Sequence, residues 1–183
     1  FIGNITAVFQ QNVKRMLAFS GISHAGFMLM ALLTMPPAAE NLLYYAFAYA
    51  LAGIAAFAVI IHVTTDNENE LIEKFNGLGK TNPLMAAILT GALLSMAGIP
   101  IFSGFFAKFM LFTDTIQTGF IVVVIAAVIN SIISIGYYFK LILAMYTKGE
   151  TAEKHSTSLL YTIVAVLAIS LNIIIGIYLS IVL

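Results

Sequence analysis

The sequence has no cysteine and very few charged residues. Without cysteine, disulfides, thiol chemistry and thiolate ligation of an iron–sulfur cluster are excluded within this chain. Charged residues make up 9% of the 183 residues, whereas a soluble domain usually has about 25%. The net charge is zero, which gives no reason to expect nucleic acid or an acidic substrate. Spacings typical of a metal site, a nucleophile triad, a phosphate-binding loop or a dinucleotide-binding glycine motif are also missing.

Long apolar stretches fill the rest of the chain, and hydrophobic residues make up 61% of it. About 20 helical residues cross a bilayer core about 30 Å thick, and the alternating pattern of a membrane β-barrel is absent. The sequence therefore predicts an all-α integral membrane protein, a single membrane domain over 1–183 with about five full transmembrane helices. A partial helix is predicted at 1–9 and transmembrane segments at 16–35, 42–65, 83–113, 119–147 and 157–183.

Two short elements complete this prediction. The partial helix at 1–9 is too short to span a bilayer, and no Met or basic signal-peptide region opens the chain. We therefore expect a helix that begins upstream in a longer protein. The loop at 66–82 is the most polar segment, and its residues 70–75 are a candidate for a short surface helix with Leu71, Ile72 and Phe75 on one face.

The segment 83–113 contains a predicted break. A straight helix of roughly 30 residues would be about 45 Å long, more than one bilayer core. Gly98, Pro100 and Gly104 lie near its centre, and they interrupt backbone hydrogen bonding. Broken helices persist at membrane depth only where protein or a water-filled cavity satisfies the freed groups. The pattern predicts a helix broken near Gly98–Pro100.

The basic residues predict an orientation. With alternating spans, the loops 10–15, 66–82 and 148–156 lie on one side and carry most of the lysine and arginine. Loops 36–41 and 114–118 carry neither. The positive-inside rule puts the basic loops in the cytoplasm and the C-terminus outside. Lys140 lies near the cytoplasmic end of its helix, which leaves Lys108 as the exception.

Lys108 and His24 are the strongest functional candidates. Lys108 follows the predicted break and lacks a carboxylate at helical spacing; an intramembrane charge is costly and marks function by default. Burial disfavours the ammonium form, which would ease proton exchange. The alternative is a lysine that snorkels to the outer interface. His24 lies near the middle of the first full span and is predicted to relay protons, or else to form an interhelical hydrogen bond.

Further polar groups in the spans are candidates for a water path or relay. The same side chains commonly hold membrane helices together, and Lys140 also suits a snorkelling lysine. The set is Ser20, Ser23, Ser103, Asn130, Ser134, Tyr137 and Lys140. Ser95, Ser131 and Tyr138 are further polar residues that could line water.

Several stretches together resemble the antiporter-like membrane subunits of respiratory complex I. They occur in order over about residues 3–147, which makes the likeness specific. The stretches are Asn12–Ser20 with Ile22–Phe27, Gly77–Gly79 with Asn82–Pro83, Leu94–Pro100, Ser103–Phe109, and Asn130–Ser134 followed by Tyr137–Tyr138.

The resemblance implies a fold with about fourteen helices in two inverted repeats. This chain is similar to the second repeat plus the final helix, so a C-terminal fragment is expected. Lys108 followed by Phe109 is most similar to the subunit N branch of bacterial NADH–quinone oxidoreductase, the counterpart of mitochondrial subunit 2. Subunit M relatives tend to carry glutamate there, and subunit L relatives usually follow their lysine with an acidic residue.

The function implied by the resemblance is proton translocation in a hetero-oligomeric complex of the bacterial inner membrane. Quinone reduction elsewhere would drive proton transfer through Lys108 and His24. Other membrane subunits would be partners, and NADH, flavin, iron–sulfur and quinone sites would lie in other subunits, with no cofactor or redox chemistry here. Two alternatives stay open: an Mrp-type cation/proton antiporter subunit, and a membrane-arm scaffold that moves no protons.

Overall fold

The computed structural model describes residues 1–34, 39–64, 70–147 and 159–182. Pro36, Pro37 and the predicted loop at 148–156 lie outside the described residues. The helices are α1 (Ile2–Val8), α2 (Val13–Leu29), α3 (Ala39–Thr64), α4 (Leu78–Thr81), α5 (Pro83–Ala97), α6 (Ser103–Gln117), α7 (Ile121–Tyr146) and α8 (Leu159–Val182). Short 3₁₀ turns at Met30–Leu33 and Ile72–Phe75 join them. The all-α class is confirmed, and α5 and α6 are the two halves of the broken helix.

Four helical segments in this part of the chain are long and apolar enough to cross a membrane: Val13–Leu33, Ala39–Thr64, Ile121–Tyr146 and Leu159–Val182. Helices α5 and α6 have 15 residues each. At 1.5 Å per residue each half is about 22 Å long, less than a bilayer core of about 30 Å.

Several helix boundaries differ from the predicted ones. Helix α2 begins at Val13, not 16, because the Asn12 side chain accepts a hydrogen bond from the Arg15 backbone N–H at 2.9 Å and caps the helix. The polar run that predicted a turn therefore enters the first helical turn. Helix α3 begins at Ala39, not 42, and α6 continues to Gln117, not 113. Charged and polar residues at helix ends hide these boundaries from a hydropathy reading.

The segment after residue 70 forms a short 3₁₀ turn at Ile72–Phe75, which packs into the protein and does not lie on a membrane surface as expected. Ile72 and Phe75 are buried in the core, whereas Leu71 is exposed. The Ile72 N–H donates to the Gln11 carbonyl at 2.9 Å, and Lys14 forms a salt bridge with Glu70. Hydrogen bonding from Lys14 and from Asn12 lowers the pKa of the Glu70 carboxyl. These contacts tie the loop to the start of α2.

Helix α3 lies at the centre and packs against α5, α6 and α8. Ala48, Ala52, Ala55 and Ala56 are buried along it. Small residues allow membrane helices to approach closely, where dispersion contacts and hydrogen bonds hold them together. The close packing places α8 against both halves of the broken helix.

One face of α7 stays exposed along its length, through Val122, Ile125, Ile129 and Ile132. The spacing of three to four residues makes a continuous apolar stripe. Such a face suits lipid or another membrane subunit, and it leaves the polar residues of α7 pointing inward.

Candidate functional site

The helix break is built from a glycine cap and a strained turn. Gly98 adopts φ +86°, and its N–H donates to the carbonyls of Leu94 and Ser95 at 3.1 and 3.0 Å. Positive φ is open to glycine at no steric cost, but Ile101 also has φ 93°, which is rare for a β-branched residue. Pro100 lies between them, and α6 begins at Ser103. The chain therefore turns sharply at the end of α5, and the next helix, α6, begins after five intervening residues.

The Lys108 side chain turns back onto the end of α5. Only 6% of Lys108 is exposed, so it does not snorkel to a surface in the described structure. Its ammonium donates to the carbonyls of Met96 at 3.0 Å and Ala97 at 3.1 Å, and to the Ser131 hydroxyl at 2.9 Å. A Cβ on Gly98 would lie 3.1 Å from Lys108 Cδ. The absence of a side chain at Gly98 therefore provides the space that the Lys108 side chain occupies when it reaches the end of α5.

Helix-end electrostatics stabilise this ammonium. The last carbonyls of a helix lack intrahelical partners and carry the negative end of the helix dipole. The Phe27 ring adds a cation–π contact, with Lys108 Nζ 5.0 Å from its centroid. Within the described residues Lys108 has no carboxylate partner. The charge is thus held by dipoles, which bind an ammonium without fixing it in an ion pair.

His24 lies in a separate cage of tyrosines. It is buried, and its ring nitrogens are 2.9 Å from the Tyr45 hydroxyl and 3.2 Å from the Tyr138 hydroxyl. Tyr49 stacks on the ring with centroids 4.4 Å apart. Both nitrogens have partners that can donate or accept, so either neutral tautomer is satisfied. His24 therefore forms interhelical hydrogen bonds, which was the alternative prediction for this residue. The same arrangement is also compatible with a proton relay.

Phe27 separates the two candidate groups. It contacts the lysine as described, and its ring meets His24 edge-on with centroids 6.1 Å apart. The described structure shows no hydrogen bond between His24 and Lys108. A cavity of about 10 Å³ lies beside His24, Tyr45 and Ser95, which is at the lower limit for one water. Any proton transfer between the two groups would therefore need water to enter or side chains to move.

Asn130 organises a second polar network, between α1, α2 and α7. Its amide donates to the Ser23 hydroxyl at 2.7 Å, and its backbone carbonyl accepts from Asn4 at 2.5 Å. Tyr137 donates to the Asn4 side chain at 2.8 Å. The Asn130 side-chain oxygen is buried without a partner. The network brings Ser23, Asn130 and Tyr137 together.

The remaining predicted residues do not share one site, although Ser20 lies beside Tyr137 and Tyr138. Ser20 and Ser134 donate to carbonyls of their own helices, at 2.8 and 2.6 Å. Lys140 reaches the Gln10 carbonyl at 3.5 Å. Ser103 starts α6 and its carbonyl accepts from Tyr44 at 3.2 Å. Gly104 donates its N–H to Ser95 at 3.3 Å. Their relay roles stay predictions.

Ser131, which was predicted only as a residue that could line water, binds Lys108. Other partners were not among the predicted residues: Tyr45 binds His24, and Asn4 joins the Asn130 network. Asn172 on α8 accepts from Ser95 at 2.9 Å. Each is a polar residue within an apolar span, a signal that marks interhelical bonding or function. Within the described ranges, no cluster of three or more His, Cys, Asp or Glu could hold a metal ion.

A helical bundle with a broken span, and a lysine folded back onto the break, defines a class of antiporter-like membrane proteins. The family described as NADH:quinone oxidoreductase/Mrp antiporter, transmembrane, matches residues 1–134. The chain belongs to this family.

Similar curated proteins place it near one branch. The chain is 63% identical over 182 residues to NADH-quinone oxidoreductase subunit N of Flavobacterium johnsoniae, covering 100% of this chain and 39% of that protein. It is 60% identical over 182 residues to the subunit N of Flavobacterium psychrophilum, covering 100% of this chain and 40% of that protein. The chain thus spans about two fifths of the length of these relatives, and the predicted likeness to subunit N is confirmed.

Solved structures share the fold. A chain of respiratory complex I from Thermus thermophilus with bound aureothin superposes with a TM-score of 0.89 at 31% identity, covering 99% of this chain and 42% of that one. A chain of the Mrp complex from Dietzia superposes with a TM-score of 0.86 at 20% identity, covering 100% of this chain and 43% of that one. The second likeness shows the fold alone.

Proposed function

We propose that this chain is part of a proton-translocating membrane-arm subunit of NADH–quinone oxidoreductase, in which Lys108 takes up and releases the transported proton. The observation that carries this proposal is the buried ammonium of Lys108, bonded to α5 carbonyls and to Ser131 with no counter-charge among the described residues. Such a group changes charge state at a lower cost than a salt-bridged one, because no carboxylate is left unpaired.

The proposed path has two ends. Lys108 exchanges its proton with the outer side, and His24 with its tyrosines connects inward to the cytoplasm or to parts of the longer protein. Quinone reduction in other subunits changes charge and hydration along the membrane arm and drives the transfer. Flavin, iron–sulfur, NADH and quinone sites belong to those partners. In the bacterial inner membrane the basic loops face the cytoplasm, as Lys14, Lys74 and Lys80 suggest.

The test replaces Lys108 in the full-length protein that contains this chain, in its assembled complex. Lys108→Met removes the exchanging group, and Lys108→Arg keeps a cation at the helix end that does not release its proton. Both variants should slow the exchange step by a factor of about 10² or more. Protons pumped per NADH oxidised in inverted membrane vesicles measure the loss, and NADH oxidation by an artificial acceptor reports assembly.

Controls separate a proton carrier from a structural cation. Lys80→Met, at an exposed lysine on α4, should pump normally. If Lys108→Arg pumps like the wild type, the lysine serves only to cap α5. If Lys108→Met pumps normally in an assembled complex, the proposal is wrong and the scaffold alternative takes its place.

The Mrp-type alternative rests on the shared fold. The Dietzia neighbour has the same architecture at low identity. Co-purification separates the two. Subunit N function requires iron–sulfur subunits in the same complex, and an Mrp function requires sodium-dependent transport without electron transfer.

A further inference from the structure

The Lys108 ammonium has three N–H groups, and the structure gives each an acceptor. Two are the carbonyl oxygens of Met96 and Ala97, and the third is the Ser131 hydroxyl, at 2.9 Å. All three donors are therefore satisfied when the lysine is charged. The three partners differ in what they can do when it is not.

A neutral amine has two N–H groups and a lone pair. Backbone carbonyls only accept, so they still bind the two N–H groups but offer nothing to the lone pair. A hydroxyl both accepts and donates, and its hydrogen can rotate. Ser131 is therefore the one of the three partners that can serve Lys108 in both charge states.

We infer that Ser131 is a positioning residue that lets Lys108 lose and regain its proton without leaving the end of α5. This inference rests on the proposed function. When Nζ releases a proton, the N–H bond breaks and a water takes the proton. The electron pair stays on Nζ, and the Ser131 O–H turns to donate to it. When the proton returns, the hydroxyl turns back and accepts.

The surroundings of the pair fit this role. Lys108 and Ser131 both line a cleft of about 220 Å³ between α6 and α7. The other side chains of the cleft are apolar, with Phe105, Phe109 and Ile132 among them. A water that enters this cleft thus finds polar side-chain atoms only at the lysine and the serine. An amine without a third partner there would lie against hydrocarbon, where an unpaired polar group is costly.

A matched pair of variants tests the hydroxyl itself. Ser131→Thr keeps the hydroxyl and adds a methyl group. Ser131→Val has the same shape as the threonine variant but lacks the hydroxyl. Both are made in the full-length protein in its assembled complex. Protons pumped per NADH oxidised are compared with the wild type and with Lys108→Met. We expect Ser131→Thr to pump like the wild type, and Ser131→Val to lose about half or more of what Lys108→Met loses, since hydrogen bonds to charged groups are among the stronger ones.

A double variant asks whether Ser131 acts through the lysine. Residues that act as one unit give non-additive effects. Adding Ser131→Val to Lys108→Met should therefore cause no further loss. Equal losses for threonine and valine would show a role in packing and overturn the inference, and so would a further loss in the double variant. Normal pumping by Ser131→Val, with Lys108→Met defective, overturns the inference and leaves the proposed function standing. Normal pumping by Lys108→Met overturns both.

Discussion

At the scale of single residues, both ring nitrogens of His24 are hydrogen-bonded to tyrosine hydroxyl groups. Tyr45 and Tyr138 each bond one ring nitrogen, and all three side chains are buried. Burying a polar group costs free energy unless it is hydrogen-bonded. The two tyrosines therefore satisfy both ring nitrogens of His24 in the middle of the bundle and tie α2 to α3 and α7.

Removal of one hydroxyl should show this directly. Tyr45→Phe keeps the ring and leaves a histidine nitrogen without its partner, so we expect the free energy of unfolding to fall by about 1–3 kcal/mol. The measurement is unfolding of the full-length protein in detergent micelles.

Tyr49→Phe is the matched control. Tyr49 stacks on the same imidazole through its ring, and phenylalanine preserves that contact. We expect a change within about 0.5 kcal/mol. A loss as large as that of Tyr45→Phe would show that removing any tyrosine hydroxyl beside His24 lowers the stability, and not specifically the hydroxyl bonded to the imidazole.

The sequence identified the buried lysine and histidine, because charge and imidazole stand out in apolar spans. It could not identify their partners. Ser131 lies on α7, 23 positions from Lys108, and Tyr45 lies 21 positions from His24. No helical spacing connects residues so far apart. Only the packing of the helices decides which hydroxyl faces Lys108 and which faces His24.

At the scale of helices, α8 determines how the broken helix sits. A Cβ on Gly176 would lie 2.2 Å from the Ile101 carbonyl oxygen. Asn172, one turn earlier, accepts from Ser95 on α5 and donates to the Ala48 carbonyl on α3 at 3.2 Å. The final helix thus packs directly against backbone atoms of the turn between α5 and α6. Because this turn sets where α6 begins, it also sets where Lys108 lies relative to the end of α5.

Gly176→Ala should therefore disturb the break. The added methyl group must displace backbone, and overpacking of this kind costs about 1–3 kcal/mol. We expect lower stability in detergent unfolding and reduced proton pumping, because α6 shifts relative to α5.

Gly136→Ala on α7 is the control, since an added Cβ there meets nothing within 4 Å. Alanine favours a helix over glycine by up to about 1 kcal/mol, so this variant should be as stable as the wild type or more so. If Gly176→Ala behaves the same way, α8 does not hold the break in place.

The break itself was predictable, because Gly98 and Pro100 lie close together and proline does not continue a helix. Gly104, which was predicted with them, lies in the first turn of α6. The contacts of the segment after residue 70 were not predictable. Phe75 is fully buried there, in a stretch whose charges suggest a surface. Hydropathy averages over neighbours, so it misses single apolar side chains that anchor a polar loop. The role of Asn172 was hidden for the opposite reason, as one polar residue in a long apolar run.

At the scale of the whole molecule, orientation follows from the number of crossings. Helices α5 and α6 are each too short to span, but together they match one crossing with a break in its middle. Lys80 is exposed just before α5, and Gln117 is exposed at the end of α6. If the two halves form one crossing, these residues lie on opposite sides of the membrane.

Single cysteines test this, because the chain contains none of its own. In a cysteine-free full-length protein, Lys80→Cys should react with a membrane-impermeant maleimide in inverted vesicles and not in spheroplasts, because the positive-inside rule predicts that the basic side faces the cytoplasm. Gln117→Cys should show the reverse. Labelling of both from one side would mean that α5 and α6 form a re-entrant hairpin. Lys108 would then reach water along α5 and α6 from that side alone, and any path to the other side would have to run through other helices.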